Sequence, residues 1–159
     1  MSRGRILALV AGAASAAVLV MASLATLSIA SSGLEILRAP FRLMCHGQLD
    51  RAFEIAETAM PICARCTGIY GGILLGAITL SFAPIVRRRR VLFVVGMAIA
   101  LPMVIDGLMQ LFGFWATGEV ARSVTGLLFG IGLIVLAVNG VAGAGGRESA
   151  GKKLDPAFP

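Results

Sequence analysis

The chain has 159 residues, of which 58% are hydrophobic and only 14% charged, far outside the range of a soluble globular domain. Its formal net charge of +6 raises nucleic acid as a partner, but the positions of the charges exclude it. The basic residues gather before, between and after long apolar runs, at 3–5, 87–90 and 147–153, where they act as topology determinants.

Four apolar runs, at 6–30, 62–86, 91–114 and 120–144, are each long enough to cross about 30 Å of hydrocarbon at about 1.5 Å per helical residue. A membrane barrel needs short segments of alternating polarity, which are absent, so the runs are predicted to be helices. The expected fold is all-α: an integral membrane four-helix bundle over 1–145 with a short extracytoplasmic loop, followed by a disordered cytoplasmic tail over 146–159. No separate soluble domain fits.

Run one is preceded by Arg3 and Arg5 and followed by Ser-Ile-Ala-Ser-Ser, the layout of a cleaved signal peptide. Its apolar stretch is longer than the roughly seven to fifteen residues of a signal core, so it reads as a retained span. Pro40 then opens a loop over 38–57 that mixes Arg38, Arg42 and Arg51 with Asp50, Glu54 and Glu57. The three basic segments fall on one side of a four-span chain and this loop on the other. The positive-inside rule makes the basic side cytoplasmic, so a bacterial inner membrane with both termini cytoplasmic is expected. The same basic residues suit anionic lipid headgroups, which makes the bilayer a partner. Within the loop, 49–58 reads as a short surface helix with Phe53 and Ile55 as its apolar contacts.

The loop also carries Cys45-His46, and the second run opens with Pro61 and Cys63-Ala64-Arg65-Cys66. These are all the cysteines and the sole histidine of the chain. Proline suits the first helical turn, where its missing N–H is not needed. Further along run two, Gly68, Gly72 and Gly76 recur every fourth residue and share a face, and Gly126 and Gly130 repeat the device in run four. Small residues at that spacing let helices approach closely. Run three holds Pro102, which is expected to kink it, together with Asp106 and Gln110, four apart on one face. Trp115 follows as an interfacial anchor. Run four begins with Arg122 and Thr125.

Topology brings these polar residues to one membrane level. A carboxylate inside a membrane helix costs about 2.5–3.5 kcal/mol, so Asp106 is expected to face the bundle and to be paired. Arg65 and Arg122 are the available cations, with Arg122 preferred by depth. The pair is then either a clamp joining spans three and four or part of a substrate- or proton-handling group.

Three chemistries fit the sulfur and imidazole ligands. Cys45, His46, Cys63 and Cys66 make a Cys3His set that suits tetrahedral zinc, and iron or copper also accept sulfur and nitrogen. Alternatively, Cys63-x-x-Cys66 at a helix N-terminus, with Arg65 between, favours thiolate and thiol–disulfide chemistry. That arrangement is similar to quinone-using four-helix oxidoreductases, which usually supply two cysteine pairs where this chain has one pair and Cys45. The third reading is a structural Cys63–Cys66 disulfide. One histidine excludes bis-histidine haem, and no serine-hydrolase elbow, phosphate loop or dinucleotide fingerprint occurs.

Cys45-His46-Gly-Gln, Met60-Pro61-Ile-Cys63-Ala-Arg65-Cys66-Thr67-Gly68-Ile-Tyr70, Asp106-Gly107-x-x-Gln110 and Arg122-x-x-Thr125-Gly126 resemble the signature of the small membrane proteins known as domain of unknown function 2085. The resemblance covers about 38–140, with one departure: Gly47 separates His46 from Gln48, where the family reads Cys-His-Gln. It implies no established activity, but it supports reading the four motifs as one site.

The expectation is therefore a zinc site of Cys45, His46, Cys63 and Cys66 at the extracytoplasmic end of the bundle. Beneath it lies a polar pocket with Asp106, Gln110 and Arg122 as catalytic candidates and Arg65, Tyr70 and Thr125 as substrate contacts. With an open metal position, the chain is an enzyme acting on a lipid-soluble or lipid-anchored substrate, with Asp106 as base. With all four ligands bound, the metal is structural, and a small transporter, binding or structural protein remains. The alternative is a quinone-linked thiol–disulfide oxidoreductase using Cys63 and Cys66.

Overall fold

The computed structural model describes residues 3–45, 51–82, 89–113 and 118–151, leaving out the side chains of 89 and 142–151. Its four long helices are α1 (Arg3–Ser32), α2 (Ala64–Phe82), α3 (Arg89–Leu111) and α4 (Glu119–Gly151). All four are long and apolar enough to cross a membrane. Large apolar side chains such as Val10, Leu24, Val94 and Leu101 point outward and are at least half exposed, as lipid-facing residues are. The chain is thus an all-α membrane bundle with the start of α1 against the later turns of α4, Gly4 beside Val138. We call the opposite end, which carries 33–45 and 51–63, the loop end. α3 runs through Pro102 as one helix. α4 continues to Gly151, into the stretch expected to be a tail, and Trp115 lies outside the described residues.

The spatial order is α1, α2, α4, α3, with α1 also touching α4. α2 and α3 both pack along α4 far more than on each other. Glycine sets the central contact. A Cβ on Gly68 or Gly72 would strike the carbonyl oxygens of Ser123 or Leu127, and one on Gly126 or Gly130 would strike those of Arg65 or Ile69. The two glycine faces meet each other, so the α2 and α4 backbones touch. Without a hydrophobic driving force in lipid, such backbone approach supplies the packing that joins helices. Gly72→Val should therefore destabilise the bundle by at least about 2 kcal/mol through overpacking. Gly71→Ala, one residue away with nothing within 4 Å of its added Cβ, should be neutral or slightly stabilising. Thermal melts of the two variants in one detergent check the contrast.

Between α1 and α2 the chain builds a cap. A 3-10 helix, Glu35–Leu43, leads to Cys45, and a hairpin follows with β1 (Glu54–Ile55) and β2 (Thr58–Ala59). The helix expected over 49–58 is not formed from Glu54 onward; 49 and 50 lie outside the described residues. Phe53 and Ile55 are two apart, a strand period that puts both on one face, whereas a helix would separate them. Both pack on a core of Ala22, Phe41, Cys45, Ala52, Met60 and Ile62. Glu54 pairs with Ala59 and Ile55 with Thr58, leaving Ala56 and Glu57 as a two-residue turn with φ of 51° and 60°. Neither is glycine or asparagine, so the turn carries about 1 kcal/mol of strain per residue, offset by the burial of Phe53 and Ile55. Arg38 joins the two halves of the cap: it pairs with Glu35 at 2.5 Å and donates to the Ala59 carbonyl at 2.8 Å.

Candidate functional site

The cap positions the cysteines. Phe41 is buried, and its carbonyl accepts the N–H groups of Met44 and Cys45 at 3.0 and 2.9 Å, which fixes Cys45 at the end of the 3-10 helix. Ile62, fully buried, anchors the chain just before Cys63. Cys63 then starts α2: its carbonyl accepts the Thr67 N–H at 3.0 Å and the Thr67 hydroxyl at 3.2 Å. The Cys63 N–H points back and donates to the Cys45 sulfur at 3.3 Å. Cys66, in the first turn of α2, completes the group.

The three Sγ atoms lie within 4.8 Å of one another and all are free thiols. Tetrahedral zinc with Zn–S of about 2.3 Å needs sulfurs about 3.8 Å apart, so closing this set takes only small side-chain rotations. Cys63, immediately before α2, has its thiol pulled down to about 5. The main cause is a hydrogen bond from the Cys66 thiol, which outweighs desolvation; the Cys66 and Arg65 backbone N–H groups and the Cys45 thiol add to it. Thiolate is the form that binds metal. His46, the expected fourth ligand, lies outside the described residues.

The cysteines form one wall of a cavity of about 340 Å³. Arg51, Arg65, Arg122 and Gln110 supply its polar lining, and Ile69 and Met103 its apolar lining. Asp106 is paired with Arg65, at 2.5 Å between Nη2 and Oδ2, and not with Arg122 as depth alone suggests. Gln110 Nε2 donates to both carboxylate oxygens, at 3.0 and 3.1 Å. The glycine contacts explain the partner. Gly126 packs on the Arg65 carbonyl, so Arg122, one turn earlier on the same face, lies toward the start of α2. Arg65, on α2 itself, spans the gap to α3. Among the described residues, the Arg122 guanidinium has no hydrogen bond or ion pair, and its Nε is buried without a partner, as is that of Arg65.

Two expected substrate contacts sit elsewhere. Tyr70 packs against the cap core, and the Thr125 hydroxyl donates to the Arg122 carbonyl at 3.1 Å. Neither is among the described residues lining the cavity. Arg51 does line it. Its sequence signal is weak, since it is one of several charges in a mixed loop.

Residues 45–136 match the family described as "Predicted membrane protein (DUF2085)". The chain belongs to this family. The matched stretch begins at Cys45 and takes in Cys63, Cys66, Asp106, Gln110 and Arg122, so the cysteine group and the arginine-lined cavity fall within the family unit, while α1 precedes it. The chain is similar to an uncharacterised protein of Methanothermobacter thermautotrophicus, 38% identical over 99 residues that cover 60% of this chain and 86% of the relative. It is also similar to an uncharacterised protein of Methanocaldococcus jannaschii, 35% identical over 99 residues, 62% of this chain and 64% of the relative. No solved structure matches.

Proposed function

We propose that this membrane protein works through a thiolate metal site, formed by Cys45, Cys63 and Cys66 with His46 as fourth ligand, set in the wall of a pocket open to membrane-soluble molecules. The observation that carries the reading is the convergence of three free sulfurs within 4.8 Å on a cavity that also holds three arginines. Zinc is the preferred ion, because a set of thiolates with an imidazole suits it; iron and copper accept the same donors. With three protein ligands the ion keeps an open position and supplies Lewis-acid chemistry to a bound substrate; with His46 as the fourth it is structural. The loop end faces away from the cytoplasm, because Arg3, Arg5 and Arg90 gather at the other end. The membrane is then a prokaryotic plasma membrane with both termini cytoplasmic.

Elemental analysis of anaerobically purified protein tests this. The expected result is about one zinc per chain, with all three thiols resistant to alkylation until a chelator is added. Metal-free protein with a Cys63–Cys66 disulfide that exchanges electrons with a quinone would overturn the reading in favour of a thiol–disulfide oxidoreductase.

A further inference from the structure

Resting on that reading of the cavity, we infer that Arg122 binds the oxyanionic head, phosphate or carboxylate, of a membrane-soluble amphiphile whose apolar tail leaves between α2 and α3. The argument starts from charge. Arg65 has its carboxylate, Asp106, and Gln110 holds the same carboxylate from the other side. Arg122 has no such partner among the described residues, although it lines the same cavity and its Nε is shut away from solvent. A guanidinium at membrane depth is costly without a counter-charge and presents a planar fork that matches two oxygens of one anion. Thiolates on a metal would not cancel it: a zinc held by three thiolates would carry one net negative charge, against two cavity arginines, Arg51 and Arg122, that Asp106 does not neutralise.

The tail follows from the helix arrangement. α2 and α3 each pack on α4, which leaves a seam between them that the Arg65–Asp106 pair bridges at the loop end. Ile69 lies one turn below Arg65 on α2, and Met103 one turn below Asp106 on α3; both line the cavity on its membrane side. The pocket thus grades from guanidinium to apolar wall towards the bilayer centre, which suits an amphiphile entering sideways from the lipid.

The test uses the full chain in a neutral maltoside detergent, with dodecyl phosphate, dodecanol and inorganic phosphate as probes in titration calorimetry. Dodecyl phosphate is expected to bind at least about tenfold more tightly than dodecanol, the worth of one charge-assisted hydrogen bond or more. Arg122→Gln should remove that advantage while zinc content stays unchanged, and Arg122→Lys should keep part of it. Inorganic phosphate binding more weakly than dodecyl phosphate supports the tail, and equal binding overturns it in favour of a free anion. Equal binding of dodecanol and dodecyl phosphate to the wild-type protein overturns the anion site, whether or not Arg122→Gln folds. Zinc measured on the same samples separates the two proposals: loaded protein that ignores dodecyl phosphate sinks this one alone, and metal-free protein that binds it sinks the metal site alone.

Discussion

Cys45→Ser should empty the metal site, lowering zinc affinity by more than about a hundredfold, since changes in the groups that merely orient a ligand already cost 10- to 100-fold. Of the three proposed sulfur ligands, Cys45 has most to lose. It is buried, it is the one cysteine contributed by the cap, and its sulfur accepts the Cys63 N–H. A serine hydroxyl is a poor zinc donor at neutral pH and leaves Cys63 and Cys66 as a two-residue chelate. The consequence reaches the fold, because metal affinity that exists only in the folded state is folding free energy. The cap core of Phe41, Met60 and Ile62 is small, so an ion cross-linking Cys45 to α2 would hold the segment between α1 and α2 down. Cys45→Ser, or a chelator on the wild type, should thus raise protease cleavage within that segment. The helices, joined by the α2–α4 glycine contacts, should keep their helical circular dichroism. His46→Ala in the same series separates the two kinds of site. Zinc lost as fully as with Cys45→Ser identifies a closed four-ligand site; zinc retained identifies an open one.

The two halves of this molecule differ in how readily their sequence can be read. The spans were legible because length and hydropathy are sufficient where every backbone group must be satisfied within its own helix. The glycine faces of α2 and α4 were legible for a similar reason, since a four-residue spacing leaves one face bare whatever lies opposite. The cap was not. Its strands are two residues long, and its turn, Ala56-Glu57, has none of the glycine or asparagine that marks a hairpin. The three cysteines were legible as a group, but the side-chain partners below them were not. Depth along a helix is written in the sequence; rotation about its axis is set by which faces touch. Gly126 against Arg65 turns Arg122 toward the start of α2, and the carboxylate passes to Arg65. Arg51 reaches the cavity through a loop path that no periodicity announces.

Asp106→Leu should cost about 3 kcal/mol or more of stability, because it strands the Arg65 guanidinium at membrane depth. The Asp106 side chain is 8% exposed and that of Arg65 25%, and Gln110 completes the network. Arg65→Met should cost a comparable amount by stranding the carboxylate. The double variant Arg65→Met with Asp106→Leu removes both charges and replaces them with apolar groups of similar bulk. It should recover most of the loss, as buried ion pairs do when exchanged whole. Unfolding of the four proteins in mixed detergent gives the coupling energy, which is expected to exceed about 1 kcal/mol for groups in direct contact. The same four proteins then decide what the pair is for. α2 and α3 have little other packing between them, so the pair joins them directly at the loop end, and if joining is all it does, any pair that holds them there will serve. If holding is its whole task, the double variant will be stable and will bind zinc and dodecyl phosphate like the wild type. A double variant that is stable and zinc-loaded but has lost the phosphate probe shows that the charges keep Arg122 and the cavity in position. An acid at position 106 then acts through the shape and field of the pocket, with its own oxygens already committed to Arg65 and Gln110.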